Sequence, residues 1–204
     1  MFAGKTEELL RRVRRAEVAG RRVEVVGHVL DNRRGAGTVS SHSGLAIPSR
    51  TARDAHDLET VVREGGPLDL VAVDEAQFFG PALVGVVQRL ADDGLVVVVA
   101  GLDVTFDAQP FEPLPTLVAL AERVDKLTAV CAVCGEDAAF HVRVVTTGAR
   151  TDDARQNGGG EDPLVPAAEH VGGAESYEAR CRAHLPSAPW RPQGGGSSTS
   201  GTNE

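Results

Sequence analysis

The stretch LDLVAVDEAQFF, residues 68–79, decides the fold class of this chain. Its first six residues are mostly apolar, and the carboxylates Asp74 and Glu75 follow directly. A short apolar run of this kind predicts a buried strand of a parallel sheet that is covered on both faces. Open parallel sheets place their ligand chemistry at the carboxyl ends of the strands. The stretch therefore predicts a site at the sheet edge that contains Asp74 and Glu75.

The segments around this strand alternate between helical and extended patterns. Apolar residues at helical spacing predict helices over residues 5–19, 55–66 and about 81–93. Apolar runs predict strands within RRVEVVGHVLD, residues 21–31, and within LVVVVAGL, residues 95–102. This alternation predicts an α/β fold with an open, mostly parallel sheet.

The opening residues MFAGKTEELL contain the end of a phosphate-binding loop pattern, G-x-x-x-x-G-K-[ST]. In such a loop Lys5, which follows Gly4, would reach the β- and γ-phosphates of a nucleotide, and the Thr6 hydroxyl would hold Mg²⁺. Asp74 could hold the same ion through water, and Glu75 could accept a proton from an attacking hydroxyl. The alternatives are an ordinary helix start and a pair of solvated loop acids.

Three cysteines and one histidine form two close-spaced pairs, Cys131-x-x-Cys134 and Cys181-x-x-His184. Four soft ligands in this arrangement predict a tetrahedral structural Zn²⁺ site. The ion would clamp the two ends of the long polar loop between the pairs. The alternative is three idle thiols, but an odd cysteine count in a reducing compartment favours a metal over a disulfide.

Composition and charge exclude several classes of protein. Apolar residues make up 42% of the chain and charged residues 25%, as in globular proteins. The net charge of −8 argues against a general binder of nucleic acids or membrane surfaces. We find neither an apolar run long enough to span a bilayer nor a cleavable leader. The sequence therefore predicts a cytoplasmic protein with no nucleic-acid or membrane partner.

Taken together, these motifs resemble those of the type II thymidine kinases. The matching segments run from MFAGKT to about His184 and include HVLDNR, SHSGL, VDEAQFF, VAGLDVTF, PFEPLP, KLTAVCAVCG and VGGAESYEARC, in the family's order and spacing. The resemblance implies a P-loop core with a small zinc-binding lobe. It implies ATP-dependent phosphorylation of the thymidine 5′-hydroxyl to thymidine monophosphate in nucleotide salvage. It also implies ATP, Mg²⁺ and structural Zn²⁺ as cofactors, and a homotetramer.

The resemblance also implies roles for individual residues. Glu75 corresponds to the proton acceptor for the nucleoside 5′-hydroxyl. A loop around residues 160–176 corresponds to a segment that closes over the base. The implied ATP and magnesium site comprises Gly4, Lys5, Thr6, Asp31, Arg33, Asp74 and Gln77. The implied thymidine site comprises Met1, Phe78, Leu102, Phe106, Phe111 and Tyr177. The implied zinc ligands are Cys131, Cys134, Cys181 and His184.

The resemblance divides the chain into three parts. Residues 1–127 would form the ATP-binding core, residues 128–185 the zinc-binding lobe with its long loop, and residues 186–204 a disordered tail. The family pattern has a core strand and a further loop glycine that would precede Met1. We expect a misplaced start site rather than a true deletion.

Two other functions stay open at this stage. A true deletion would give a catalytically impaired, zinc-lobed nucleotide-binding protein. A zinc-ribbon nucleic-acid binder is the third hypothesis, and the acidic net charge argues against it.

Overall fold

The computed structural model of the protein describes residues 2–30, 38–40, 46–144 and 177–191. Two short 3₁₀ turns of the described residues lie at Ala76–Phe79 and Arg182–His184. The helices of the described residues are α1 (Lys5–Val18), α2 (Ala55–Glu64), α3 (Leu83–Asp92) and α4 (Leu114–Leu120). The strands are β1 (Val23–His28), β2 (Thr38–Ser40), β3 (Ala46–Pro48), β4 (Arg50–Ala52), β5 (Leu70–Val73), β6 (Val96–Val99), β7 (Ala129–Val130), β8 (Asp137–Ala138), β9 (Phe140–Arg143) and β10 (Tyr177–Arg180).

The main sheet has the strand order β4-β1-β5-β6, and all of its pairings are parallel. Strand β5 lies between β1 and β6, with Val73 opposite Val26 on one side and Val99 on the other. This arrangement confirms the predicted α/β fold with a parallel sheet. Because β5 is an inner strand, the residues that follow it lie at the middle of the sheet's carboxyl edge.

Helices cover both faces of this sheet. Val71 and Val73 of β5 pack in a core with α2, α3 and α4, whereas Leu70 and Ala72 pack in a second core with α1. All four of these side chains are buried. Successive strand residues point to opposite faces, so a strand between two helical layers must be apolar at every position. This explains the continuous apolar run that precedes Asp74.

Helix α1 follows the predicted helical spacing closely. Leu9, Leu10, Val13 and Ala16 are its buried residues, and they form one stripe that faces the sheet. The chain leaves the helix at Gly20, whose φ of 73° suits glycine.

The outer strand β6 is only partly covered, unlike the prediction of coverage on both faces. Val96 is 44% exposed, and Val97 to Val99 are half-buried. Within the described residues β6 lies at an edge of the sheet, and this position accounts for the exposure.

The cysteine lobe, defined here as residues 128–144 and 177–191, is built from short antiparallel strand pairs. Strands β7 and β8 form a hairpin, and β9 pairs antiparallel with β10. A small apolar core joins Phe140, Leu185 and Ala188 of this lobe with Ala108.

Residues 186–191, which the sequence assigns to a disordered tail, pack on the cysteine lobe. The Trp190 ring lies 5.8 Å from the Phe140 ring, and the Arg182 guanidinium lies 5.1 Å from the Trp190 ring centre. Ala188 is buried. A tilted aromatic contact and a cation–π contact therefore hold a segment whose composition indicates disorder. In the described part of the chain, no helix has the length and apolarity needed to cross a membrane.

Candidate functional site

The backbone geometry at the first turn of α1 favours an approaching anion. Gly4 is the N-cap residue, and its φ of 72° lies in the left-handed region that favours glycine. The Glu8 N–H donates to the Gly4 carbonyl at 3.0 Å, so the helix begins directly at Lys5. Unpaired backbone N–H groups and the helix dipole at such a start favour phosphate oxygens.

Thr6 connects this helix start to the carboxyl edge of the sheet. Its hydroxyl donates a hydrogen bond of 3.0 Å to the Asp74 carboxylate. Asp74 is only 3% exposed, and its own N–H donates to the Val26 carbonyl of β1. Hydroxyl and carboxylate oxygens are the hard ligands that Mg²⁺ prefers, so this pair fits a magnesium ion.

The pKa of the Asp74 carboxyl group lies well above its ordinary value. Burial raises the pKa of Asp74 to about 7, and the negative charge of Glu75 adds to the rise. Hydrogen bonds from the Glu75 N–H and the Thr6 hydroxyl, together with the Lys5 charge, act in the opposite direction. The influence of both Lys5 and Glu75 on one carboxylate indicates that the helix start and the acidic strand end share one site. Perturbed acids in such positions are typical of functional sites.

Glu75 occupies an unusual backbone conformation. Its φ of 50° is left-handed, which is uncommon for a residue other than glycine. Two hydrogen bonds stabilise this turn. The Glu75 N–H donates to the Asp74 side chain, and the Ala76 N–H donates to the carbonyl of Ala100, which follows β6. Strained residues of this kind cluster at active sites, where the surrounding structure fixes them.

Gln77 lies between Glu75 and the end of the next strand. Its amide nitrogen donates to the Glu75 carboxylate at 2.5 Å, and its amide oxygen accepts from the Leu102 N–H at 3.0 Å. The side chain is buried. The resemblance assigned Gln77 to the nucleotide site, and the geometry gives it direct contact with Glu75.

The residues expected around the thymine base occupy two neighbouring regions. Phe78, Leu102 and Phe111 are all buried. Phe78 follows Gln77 directly in the chain, the Leu102 N–H donates to the Gln77 amide oxygen, and the Phe111 N–H donates to the Asp103 carbonyl. Phe106 and Tyr177 come together from distant parts of the chain, with ring centres 6.4 Å apart. This second pair bridges the core and the cysteine lobe.

Two residues that sequence reasoning left without a role flank the Phe106–Tyr177 pair. The His141 ring meets Tyr177 edge-on at 5.6 Å, and the Arg143 guanidinium lies 6.0 Å from the Phe106 ring centre. His141 is buried, although the sequence shows no nearby residues with which it could form a metal or catalytic site. The antiparallel register of β9 and β10 places it there, opposite Ala179. The only sequence signal for this strand was the alternation of apolar and polar residues in the segment Phe140–Arg143.

The predicted zinc ligands converge on one point. The ligand atoms of Cys131, Cys134, Cys181 and His184 all lie within 4.8 Å of one another. The Cys134 and Cys181 sulfurs are 3.7 Å apart, and the His184 Nδ1 lies 3.2 Å from the Cys181 sulfur and 3.9 Å from the Cys131 sulfur. A tetrahedral zinc with Zn–S bonds of about 2.3 Å requires sulfur separations of roughly 3.8 Å. The residues therefore fit a structural Zn²⁺ ion.

Backbone donors favour the thiolate that such an ion needs. Burial raises the pKa of Cys131, but N–H groups of Cys181, Val133 and Cys134 donate to its sulfur and bring the pKa down to about 6. The same cluster contacts the residues that precede α1, because Ala3 packs against its apolar residues. The predicted zinc ligands therefore lie against the segment that leads into α1.

Some of the predicted site residues lie outside the described residues. These are Met1, Asp31 and Arg33, together with the loop around residues 160–176. Their assignments stay predictions.

A parallel α/β sheet whose inner strand ends in two acids, beside a Gly-Lys-Thr helix start, is typical of nucleotide-dependent phosphotransferases. Comparisons with known proteins narrow this class. A sequence model of the thymidine kinase family matches residues 1–185.

The thymidine kinase of Deinococcus radiodurans is 43% identical over 203 residues, which cover 96% of this chain and 88% of that protein. The thymidine kinase of Halobacterium salinarum is 44% identical over 186 residues, which cover 89% of this chain and 88% of that protein. The thymidine kinase of Bdellovibrio bacteriovorus is 42% identical over 185 residues, which cover 91% and 81%, respectively. The chain belongs to the thymidine kinase family and is a phosphotransferase.

Proposed function

We propose that this protein transfers the γ-phosphoryl group of ATP to the 5′-hydroxyl of thymidine. Family membership supports the substrates. The observation that carries the mechanism is the hydrogen bond from Thr6 to Asp74, because it joins the nucleotide-binding helix start to the strand end that bears Glu75. A donor phosphate and an acceptor hydroxyl bound at these two elements would meet.

In the proposed reaction Glu75 accepts the proton of the 5′-hydroxyl. The 5′-oxygen forms a bond to the γ-phosphorus, the bond from that phosphorus to the β,γ-bridging oxygen breaks, and ADP leaves. Proton acceptance by a positioned base contributes a factor on the order of 10² to 10⁴ in rate. Lys5 neutralises charge on the transferring group, which phosphoryl transfer requires more than covalent help.

Thr6 and Asp74 are the residues that would hold Mg²⁺. When bound, the ion supplies charge neutralisation on the β- and γ-phosphates. We assign Asp31 and Arg33 to the same phosphate-facing site by resemblance, and Gly4 gives the backbone the turn that it needs there.

We assign the thymine pocket to Met1, Phe78, Leu102, Phe106, Phe111 and Tyr177. The contact between Phe106 and Tyr177 supports this proposal, since an aromatic pair that joins two parts of the chain can close on a flat base. The loop around residues 160–176 would complete the pocket and exclude water.

We also propose that the family's homotetramer forms here. The partly exposed edge strand β6 and the arginine-rich outer face of α1 offer surfaces that subunits could cover. Three thiol ligands require a reducing compartment, which supports a cytoplasmic location. Light scattering coupled to size exclusion measures the assembly directly, and a monomer at micromolar concentration would contradict the tetramer.

The experiment that tests the function is a phosphorylation assay with radiolabelled thymidine, ATP and Mg²⁺. The wild-type protein should form thymidine monophosphate, and Glu75→Gln should lower kcat at least about 100-fold, because it removes the proton acceptor without changing shape. Glu122→Gln, an exposed position away from the site, is the matched control and should keep full activity. A wild-type protein that binds nucleotide but forms no product would instead support the impaired nucleotide-binding protein.

A further inference from the structure

The orientation of the Gln77 amide is fixed by its surroundings. A backbone N–H can only donate, so the atom that faces the Leu102 N–H at 3.0 Å must be the amide oxygen. The NH₂ group is then directed to the Glu75 carboxylate, 2.5 Å away. The side chain is 2% exposed, and both of its polar ends have protein partners.

Gly101 leaves room for the Gln77 amide because it has no side chain. A Cβ atom at position 101 would lie 3.0 Å from the Gln77 amide oxygen and 2.9 Å from a Leu114 methyl group. These separations are shorter than ordinary carbon contacts, so either neighbour would have to move. The close approach of the Leu114 and Gln77 side chains, rather than the backbone conformation, disfavours a side chain at position 101.

We propose that Gln77 is a positioning residue for the proton acceptor Glu75, an inference that rests on the proposed function. The amide occupies one carboxylate oxygen and fixes the side-chain rotamer of Glu75. A carboxylate can accept about four hydrogen bonds, so the bond from Gln77 does not by itself prevent Glu75 from accepting the proton of the 5′-hydroxyl. The same amide connects Glu75 to Leu102, a residue of the proposed thymine pocket.

This role differs from direct contact with ATP. A residue that binds phosphate needs an exposed donor, whereas the Gln77 amide is buried and directed to a carboxylate. A displacement of about 1 Å in a catalytic group can lower a rate by about 100-fold. Positioning of Glu75 is therefore a sufficient reason for a buried glutamine at this place.

The test is a double-mutant cycle on the full-length protein. Gln77→Met keeps the size of the side chain but removes both hydrogen bonds. We expect kcat to fall by about 10- to 100-fold while KM for ATP and for thymidine changes less than about threefold. If Gln77 acts through Glu75, the Gln77→Met, Glu75→Gln double variant should be no slower than Glu75→Gln alone. Gln88→Met, in α3 and not among the proposed site residues, is the matched control.

Gly101→Ala is the second variant, and it tests the same relationship without removing a polar group. It should lower kcat by about tenfold, and this loss should disappear in the Glu75→Gln background. Thermal unfolding of each variant ensures that every assay is run on folded protein. If Gln77→Met does not fold, Gly101→Ala alone decides the outcome.

Three results would overturn the inference. They are an unchanged kcat in both variants, losses that add to that of Glu75→Gln, and a raised KM for ATP with kcat retained, which would make Gln77 a phosphate ligand. The proposed function fails separately, by absence of thymidine phosphorylation in the wild-type protein or by full activity of Glu75→Gln.

Discussion

The Thr6 hydroxyl donates a 3.0 Å hydrogen bond to the buried Asp74 carboxylate, although the two residues are 68 positions apart in sequence. This bond joins the first turn of α1 to the carboxyl end of the inner strand β5. It places the residues proposed to bind the phosphates beside the residue proposed to activate the nucleoside. Four predictions test this arrangement and the metal centre next to it.

Removal of the Thr6 hydroxyl should weaken both the fold and the reaction. Thr6→Val keeps the shape but leaves the buried Asp74 carboxylate without one donor, which should cost about 1–3 kcal/mol of unfolding free energy. The Mg²⁺ concentration needed for half-maximal activity should rise at least about tenfold, whereas Thr6→Ser should behave like the wild type. Urea unfolding and a Mg²⁺ titration measure the two effects. Thr60→Val, in α2, is the control, and equal effects in both variants would contradict the assignment.

Asp74 should make the stability of the magnesium-free protein fall as the pH rises. Its pKa is 3.8 in the unfolded chain and about 7 in the folded state, so the folded state binds the extra proton between these values. Asp74 therefore stabilises the fold fully below pH 4, and this contribution is lost as the pH approaches 7.

The measurement for this prediction is urea unfolding of the wild type and Asp74→Asn between pH 4 and pH 8. The difference between the two proteins isolates Asp74 from the other carboxylates, and it should change by a few kcal/mol in the stated direction. Asp92→Asn, an exposed change in α3, should show no such pH-dependent difference. A pH-independent difference for Asp74→Asn would show that the folded-state pKa is not raised.

Zinc removal should loosen both the cysteine lobe and the helix start at Lys5, where we propose that the phosphates bind. Binding of a structural zinc is worth on the order of 10 kcal/mol and is part of the folding energy. Because Ala3 packs against the ligand cluster, chelation should speed proteolysis in both regions and lower the affinity for ATP. His184→Ala should reproduce this result, whereas His56→Ala, an exposed histidine in α2, should not. Unchanged proteolysis after full metal loss would contradict the clamp.

Trp190 should report on the packing of residues 186–191, since it is the only tryptophan of the chain. Trp190 is 49% exposed, and its contacts with Phe140 and Arg182 should shift its emission to a somewhat shorter wavelength than that of a fully solvated indole. Chelation of zinc should shift the emission to longer wavelength, and Arg182→Ala should cause part of the shift while costing about 1 kcal/mol of lobe stability. Arg123→Ala is an exposed control. Fully solvent-like emission in the intact protein would mean that this segment is not packed.

Much of the fold could be predicted because it depends on short-range patterns. The apolar spacing of Leu9, Leu10 and Val13 predicts α1, and the run that ends at Asp74 predicts β5, since burial between two layers leaves few other choices of residue. The four zinc ligands could be predicted for a similar reason, because their pairwise spacing is local.

Other features depend on contacts that no local pattern contains. Helix α4 was missed because Pro113 and Pro115 indicate a break, although prolines are tolerated in a first helical turn. The role of Gln77 depends on the position of the Leu102 N–H, which the sheet order determines. The packing of Trp190 was missed because a low-complexity composition predicts disorder, whereas one aromatic and one arginine partner hold the segment.

We propose that the Lys5–Thr6 helix start and the Asp74–Glu75 strand end act on one nucleoside hydroxyl. The most direct measurement is a crystal structure with thymidine, Mg²⁺ and a non-hydrolysable ATP analogue. We predict that the 5′-oxygen lies about 2.6–3.2 Å from a Glu75 carboxylate oxygen, with the γ-phosphate next to the Lys5 amine. A 5′-hydroxyl that points away from Glu75, or two ligands in separate sites, would contradict the claim.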